Sequence, residues 1–242
     1  MYEKKKDSRP LLSVIIPCFN EEKTIELIIK KILKLRNINK QIIVINDAST
    51  DQSFDLIKKF GSKIDTIINH KRNLGKGSCI KSAKKKVKGD IVLIQDADLE
   101  YNPKDYEKLI NPIINNKHLV VYGSRVLNKD RFDNLNNFTH SIRIFANYIL
   151  TLINNIINNQ DLTDAHTCYK VFDIKIFKKL KLVENDFAFC PEVTTKISNM
   201  GYKIHEVPIN YKGRNYSQGK KIKLKDGFKA LFTLIKYRFF CN

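Results

Sequence analysis

The stretch Gly89-Asp90-Ile91-Val92-Leu93-Ile94-Gln95-Asp96-Ala97-Asp98-Leu99-Glu100 decides the reading of this chain. Ile91 to Ile94 is an unbroken apolar run, mostly β-branched, behind a Gly-Asp turn. Such a run suits a strand buried on both faces, as in a parallel sheet. Asp96, Asp98 and Glu100 follow at alternate positions, at the carboxyl end of that strand. Open α/β sheets bind their ligands at this end. Hard carboxylate oxygens placed there suit Mg2+ or Mn2+ carrying a substrate diphosphate. The competing reading is a solvated acidic turn, so the surrounding chain has to decide.

Toward the amino terminus, strands and helices alternate. Residues 11–16 read as a strand, with Pro17-Cys18-Phe19-Asn20-Glu21-Glu22 as the turn after it. A helix over about 22–35 puts Ile25, Ile28, Ile29, Ile32 and Leu33 on one face. Residues 41–45 form a second strand, ending in Asn46-Asp47-Ala48-Ser49-Thr50-Asp51. A helix over 52–60 and a short strand at 66–68 come next. Asn73-Leu74-Gly75-Lys76-Gly77 then opens a helix to about residue 87. Beyond the carboxylates, Asn102-Pro103 starts a helix to about 114, with Pro at a permitted first-turn position. A strand at 119–122 ends in Gly123-Ser124-Arg125. This alternation predicts a mostly parallel, doubly wound α/β sheet. Neither GxxxxGK[ST] nor a GxGxxG after the first strand is present, so the usual nucleotide loops do not account for this half.

The second half is less periodic. Residues 142–157 are apolar with interspersed Asn, and 161–172 have no clear period. Phe187-Ala-Phe-Cys-Pro-Glu192 leads into a helix that runs to about Met200 and stops at Gly201. Residues 203–211 alternate like a strand, and 212–225 form a basic loop. A last amphipathic helix spans 228–239, with Phe228, Leu231, Phe232, Ile235 and Phe239 on one face and Lys229, Thr233 and Lys236 on the other. Both apolar segments suit either a core-facing helix or a membrane interface. The second follows a basic loop, which favours an anionic leaflet.

Composition sets the limits. The 242 residues suffice for one large domain, divided here into a frayed 1–10, a half over 11–125 and a half over 126–242. Lys and Arg number 44 against 25 acidic residues, for a net charge of +19 that favours anionic partners. A nucleic-acid binder would need these charges clustered with aromatics, whereas they are spread along the chain. Cys18, Cys79, Cys168, Cys190 and Cys241 form no CxxC pair, which predicts a reducing compartment and no zinc site. No apolar run reaches 18 residues, so no spanning helix is expected.

Five segments in this order resemble the inverting family-2 glycosyltransferases of GT-A fold, in the dolichol-phosphate mannose synthase and polyprenyl-phosphate glycosyltransferase branch. They are Val14-Ile-Ile-Pro-Cys-Phe-Asn-Glu21, Ile45-Asn-Asp-Ala-Ser-Thr-Asp51, Arg72-Asn-Leu-Gly-Lys-Gly77, Gln95-Asp-Ala-Asp-Leu-Glu100 and Thr163-Asp-Ala-His-Thr-Cys-Tyr-Lys170. The resemblance covers about residues 11–240. It implies a nucleotide-sugar donor of GDP-mannose or UDP-glucose type, Mg2+ or Mn2+, and a dolichyl or undecaprenyl phosphate acceptor. Position by position, it implies that Pro17, Phe19, Asn20, Glu21 and Asp47 hold the nucleotide and that Gly75, Lys76 and Gly77 approach it closely. Asp96, Asp98 and Glu100 would sit at the metal, with Ala97 beside the donor. The common DDGS is here Asn46-Asp47-Ala48-Ser49, which weakens the expected contact to the base.

The acceptor phosphate is already anionic, so it needs cations more than a strong base. Arg125, Arg143, Arg214, Lys220 and Lys221 are the candidates, Arg125 foremost because it follows a sheet strand. Asp164 is expected on the acceptor side, with turn capping as its alternative role. His140 and His166 read as structural, and Glu192 as a helix-start residue. The expected setting is the cytoplasmic face of a membrane, reached directly or through a membrane-protein partner. The alternative is transfer to a saccharide of a surface polymer, which would require a carboxylate base such as Asp164 or Asp186.

Overall fold

The computed structural model describes residues 9–127, 138–214 and 224–240. Seven strands form one sheet: β1 (Leu12–Cys18), β2 (Lys40–Asn46), β3 (Thr66–Asn69), β4 (Ile91–Ile94), β5 (Val120–Ser124), β6 (Lys170–Asp173) and β7 (His205–Pro208). Their spatial order is β3-β2-β1-β4-β6-β5-β7. β1 pairs in parallel with β2 and β4, β2 with β3, and β5 with β7. Among the described strands, only β6 runs antiparallel to its neighbours β4 and β5. The helices are α1 (Ile25–Leu33), α2 (Ser53–Lys58), α3 (Lys76–Lys84), α4 (Tyr106–Ile114), α5 (Phe138–Asn158), α6 (Ile174–Lys179), α7 (Phe189–Asn199) and α8 (Leu224–Ile235), which continues as a π-turn over Lys236–Phe240. The expected mostly parallel α/β architecture is therefore present, as one mixed sheet with helices on its faces.

Burial explains the frame. All four residues of β4 are buried, as a central strand requires. Ile25, Ile28, Ile29 and Ile32 of α1 are buried against the sheet, the face that their spacing predicts. Pro17 belongs to β1 rather than to the turn, opposite Ile45 of β2. It is tolerated because the pairing of β1 with β4 has already ended at Ile15, so no ladder bond is lost on that side.

Three features differ from the sequence reading. The stretch without clear period contains β6, and α6 follows it. β6 is only four residues long and its first three residues, Lys170, Val171 and Phe172, are all buried, so both of its faces pack and no alternation survives. β7 is shorter than the expected 203–211, although Tyr211 still bridges Tyr101. The apolar face read on α8 turns outward: Phe228, Phe232, Ile235 and Phe239 are exposed, while Ala230, Thr233, Leu234 and Tyr237 are buried. α5 repeats this pattern, with Phe145, Ile149, Leu152 and Ile156 exposed. Among the described residues, no helix is long and apolar enough to cross a membrane.

Candidate active site

The loops after β1, β2 and β4 meet at the carboxyl end of the sheet. Asn20, held at a positive φ of 51°, fastens the first two together. Its amide accepts from the Thr50 N–H at 2.8 Å, and its own N–H donates to Ser49 Oγ at 3.0 Å. Glu21 is buried beside it, its N–H donating to Ser53 Oγ at 2.8 Å. This places a carboxylate of β1's turn opposite those that follow β4.

The β4 carboxylates are engaged by different partners. Asp96 accepts from Lys76 Nζ at 2.5 Å. Burial pushes the Asp96 carboxyl up, but the Lys76 ammonium prevails and holds it below its ordinary value. The same ammonium lies 3.3 Å from Cys168 Sγ. Asp98 Oδ1 accepts from the Glu100 N–H at 3.0 Å, and Asp98 Oδ2 from Arg214 Nη2 at 2.8 Å. Burial, and then the charges of Asp96 and Glu100, push the Asp98 carboxyl up to about 7. Glu100 accepts from the Tyr211 hydroxyl at 2.8 Å and from the Arg214 N–H at 2.6 Å. Arg214 also forks onto Glu21, at 2.9 and 3.1 Å. A guanidinium thus stands among Glu21, Asp98 and Glu100, marking a place built for positive charge. An all-oxygen donor set under mutual repulsion fits a hard divalent cation, which Asp98 and Glu100 could hold.

Other expected site residues are engaged differently. Asp47 Oδ1 accepts from the Leu74 N–H at 2.9 Å and Oδ2 from the Gly75 N–H at 2.7 Å, while His70 Nδ1 lies 2.7 Å from Oδ1. Its carboxylate therefore straps the end of β2 to the glycine loop rather than standing free for a base. A Cβ on Gly75 would fall 2.6 Å from the Asn185 carbonyl oxygen, and one on Gly77 2.3 Å from that of Glu184. These glycines admit the close approach of the backbone of residues 184–186. Ala97 is buried.

Arg125 is not a free phosphate clamp. Its Nε and Nη2 donate to Asp164 at 2.6 and 2.7 Å, and its N–H donates to Asp164 at 3.1 Å. Asp164 is wholly buried, which removes it from direct contact with an acceptor and gives it a role beyond turn capping. Glu192 is likewise more than a helix-start residue. It accepts from the N–H groups of Val183 and Glu184 and so anchors the segment lying over Gly75 and Gly77. Lys220 and Lys221 lie outside the described residues, as does the side chain of Arg143.

Two features gave no sequence signal. Gln95 is buried, its carbonyl accepting from the Tyr106 and Tyr169 hydroxyls at 2.9 and 2.7 Å, which fixes the turn leading to Asp96. Asp47, His70 and Cys79 bring their potential ligand atoms within 4.8 Å of one another. Both ring nitrogens of His70 already have partners, Asp47 and Ser82. Burial, aided by Asp47, pushes the Cys79 thiol far up, so it stays protonated. The cluster reads as a strap.

With this geometry in place, comparison with known proteins is informative. Residues 13–181 match the family described as Glycosyl transferase family 2. The chain belongs to that family. It is therefore a glycosyltransferase, and the glycosyltransferase resemblance of its five segments holds. It is 28% identical to a UDP-N-acetylglucosamine–dolichyl-phosphate N-acetylglucosaminyltransferase of Methanococcus voltae, over 93% of this chain and 95% of that protein. It is 27% identical to a dolichyl-phosphate beta-glucosyltransferase of Trichomonas vaginalis, over 95% of this chain and 73% of the relative. Among solved structures, the glucosyl-3-phosphoglycerate synthase of Mycobacterium tuberculosis with Mg2+ and UDP superposes with a TM-score of 0.71 at 17% identity, over 95% of this chain and 79% of that one. That likeness establishes the shared GT-A fold.

Proposed function

We propose that this family-2 enzyme transfers a sugar from a nucleotide diphosphate-sugar to a polyprenyl phosphate at a membrane surface. One observation carries the reading: the carboxylate site shares the molecule with two helices that each expose large apolar side chains at i, i+4, i+7 and i+11. On α5 these are Phe145, Ile149, Leu152 and Ile156, and on α8 Phe228, Phe232, Ile235 and Phe239. A lipid acceptor needs both features, and a water-soluble acceptor needs only the first. The names of the relatives from Methanococcus voltae and Trichomonas vaginalis support the same acceptor class.

The donor's diphosphate would lie at the strand ends, where Lys76 and Arg214 supply positive charge and Asp98 and Glu100 would hold Mg2+ or Mn2+. A bound divalent cation supplies Lewis-acid stabilisation of the charge that develops on the departing diphosphate. Asn20 and the Asp47 strap fix the loops around the nucleotide. The acceptor phosphate is anionic near neutral pH and requires no deprotonation. The saccharide-acceptor alternative lacks support from its two named bases, since Asp164 pairs with Arg125 and Asp186 with Lys229.

The test is calorimetric binding of GDP, UDP and their sugars with Mn2+ or with EDTA, followed by transfer to a short polyprenyl phosphate. One nucleotide is expected to bind only with metal, and Asp98→Ala to abolish that binding. Metal-independent binding in wild type and variant alike, or transfer to a soluble saccharide but not to the lipid phosphate, would overturn the proposal.

A further inference from the structure

Resting on that reading, we infer that Arg214 is a resident cation that occupies the divalent-metal site until the metal displaces it. The argument begins with the oxygens. Both carboxylate oxygens of Asp98 have hydrogen-bond partners, the Glu100 N–H at 3.0 Å and Arg214 Nη2 at 2.8 Å. Both oxygens of Glu100 do too, the Tyr211 hydroxyl at 2.8 Å and the Arg214 N–H at 2.6 Å. Three of these four partners belong to the segment 211–214. That segment is fastened from below by the Lys212 N–H on the Glu100 carbonyl at 2.9 Å and by the Tyr101–Tyr211 bridge. A metal ion reaching Asp98 and Glu100 therefore meets ligands already satisfied by this strap.

Charge leads to the same conclusion. Without Arg214, the carboxylates of Glu21, Asp98 and Glu100 would face one another in a largely buried site, an arrangement that repels itself. The guanidinium relieves it by pairing with Glu21 at 2.9 Å and Asp98 at 2.8 Å, with Glu100 at 3.8 Å. Its own satisfaction is incomplete, because Arg214 Nε is buried with no hydrogen-bond partner among the described residues. A buried donor left over marks a group with capacity for another anion. Arg214 can thus release Asp98 to the metal and turn toward the diphosphate that arrives with it. Metal and donor then bind with positive coupling, since each removes what opposes the other. Metal alone has to break the arginine contacts with no compensating anion and binds weakly.

The test uses Mn2+ alone, with no nucleotide, titrated into the full chain and followed by the electron paramagnetic resonance of free Mn2+. Arg214→Gln is expected to bind Mn2+ at least tenfold more tightly than wild type, and Arg214→Lys to stay near wild type. Equal or weaker binding by Arg214→Gln overturns the inference. A second measurement needs no variant: phenylglyoxal modification of Arg214, read by peptide mass, should rise when wild type is saturated with Mn2+, and no change overturns it. Absence of Mn2+ binding in all three proteins would overturn it as well. Transfer to the lipid phosphate, assayed separately, decides the proposed function on its own terms.

Discussion

Asp164 has no exposed surface, and Arg125 meets it with two side-chain nitrogens and its own N–H. Burial pushes this carboxyl up, but the guanidinium prevails and holds it at about 2. A carboxyl lowered in the folded state stabilises the fold above its unfolded value and loses that contribution as pH falls through the folded one. The pair is therefore intact at neutral pH and fails only in strong acid. Asp164→Asn leaves a half-buried guanidinium without its counter-charge and should cost about 2–3 kcal/mol of unfolding free energy at pH 7 in urea titrations. Changing Arg125 to Gln as well should cost less than the sum of the two single changes, because the partners share one interaction. The contrast with the β4 carboxylates shows what a sequence can carry at this scale. Asp96, Asp98 and Glu100 follow an unmistakable strand at regular spacing, so their position is legible. The Arg125–Asp164 pairing joins residues 39 apart through the fold, and no local pattern encodes it. The straps on Asp47 and Glu100 were hidden for the same reason.

Gly75 and Gly77 connect the residue scale to the elements. Gly75 sits at φ 91°, a conformation that side chains resist, and a Cβ on either glycine would collide with the backbone of residues 184–185. That segment is anchored on the far side by Glu192 and by Lys236 and Tyr237, which donate to Glu184 at 3.0 and 2.9 Å. It cannot yield without moving the end of α8. Gly77→Ala should therefore cost about 1–3 kcal/mol of stability, as overpacking does. Because it displaces Lys76, it should also weaken nucleotide binding in calorimetry. The elements themselves were largely legible: the run in β4 and the isoleucine face of α1 fixed the sheet and its first cover. β6 escaped because burial of both its faces erased its alternation. The two faces of α8 were inverted because both are apolar, and periodicity alone does not say which of two apolar faces meets the core.

That inversion matters most for the molecule as a whole. An amphipathic helix ordinarily buries its aromatic face, yet Phe228 is 79% exposed and Phe232 67% exposed. α8 packs instead through Ala230, Thr233, Leu234 and Tyr237, and α5, its packing partner, turns Ile156 outward at 82%. Two adjoining apolar stripes of this size exceed what scattered surface side chains produce and mark an interaction face. Lys229 and Lys236, paired with Asp186 and Glu184, flank the α8 stripe in a chain of net charge +19. Cations beside exposed rings match an anionic bilayer, where each well-placed basic residue contributes about 1 kcal/mol and the rings insert. The chain should therefore sediment with vesicles of phosphatidylglycerol and far less with phosphatidylcholine, and added salt should weaken the binding. Phe228→Ser, Phe232→Ser and Phe239→Ser together should reduce vesicle binding at least tenfold, since burying one Phe stabilises by about 1.5–3 kcal/mol. The unfolding midpoint should hardly move, because these rings contribute little to the core. Nucleotide binding should be preserved in the same variant, while transfer to a polyprenyl phosphate embedded in vesicles falls. Loss of both would mean that the rings support the fold rather than the membrane contact.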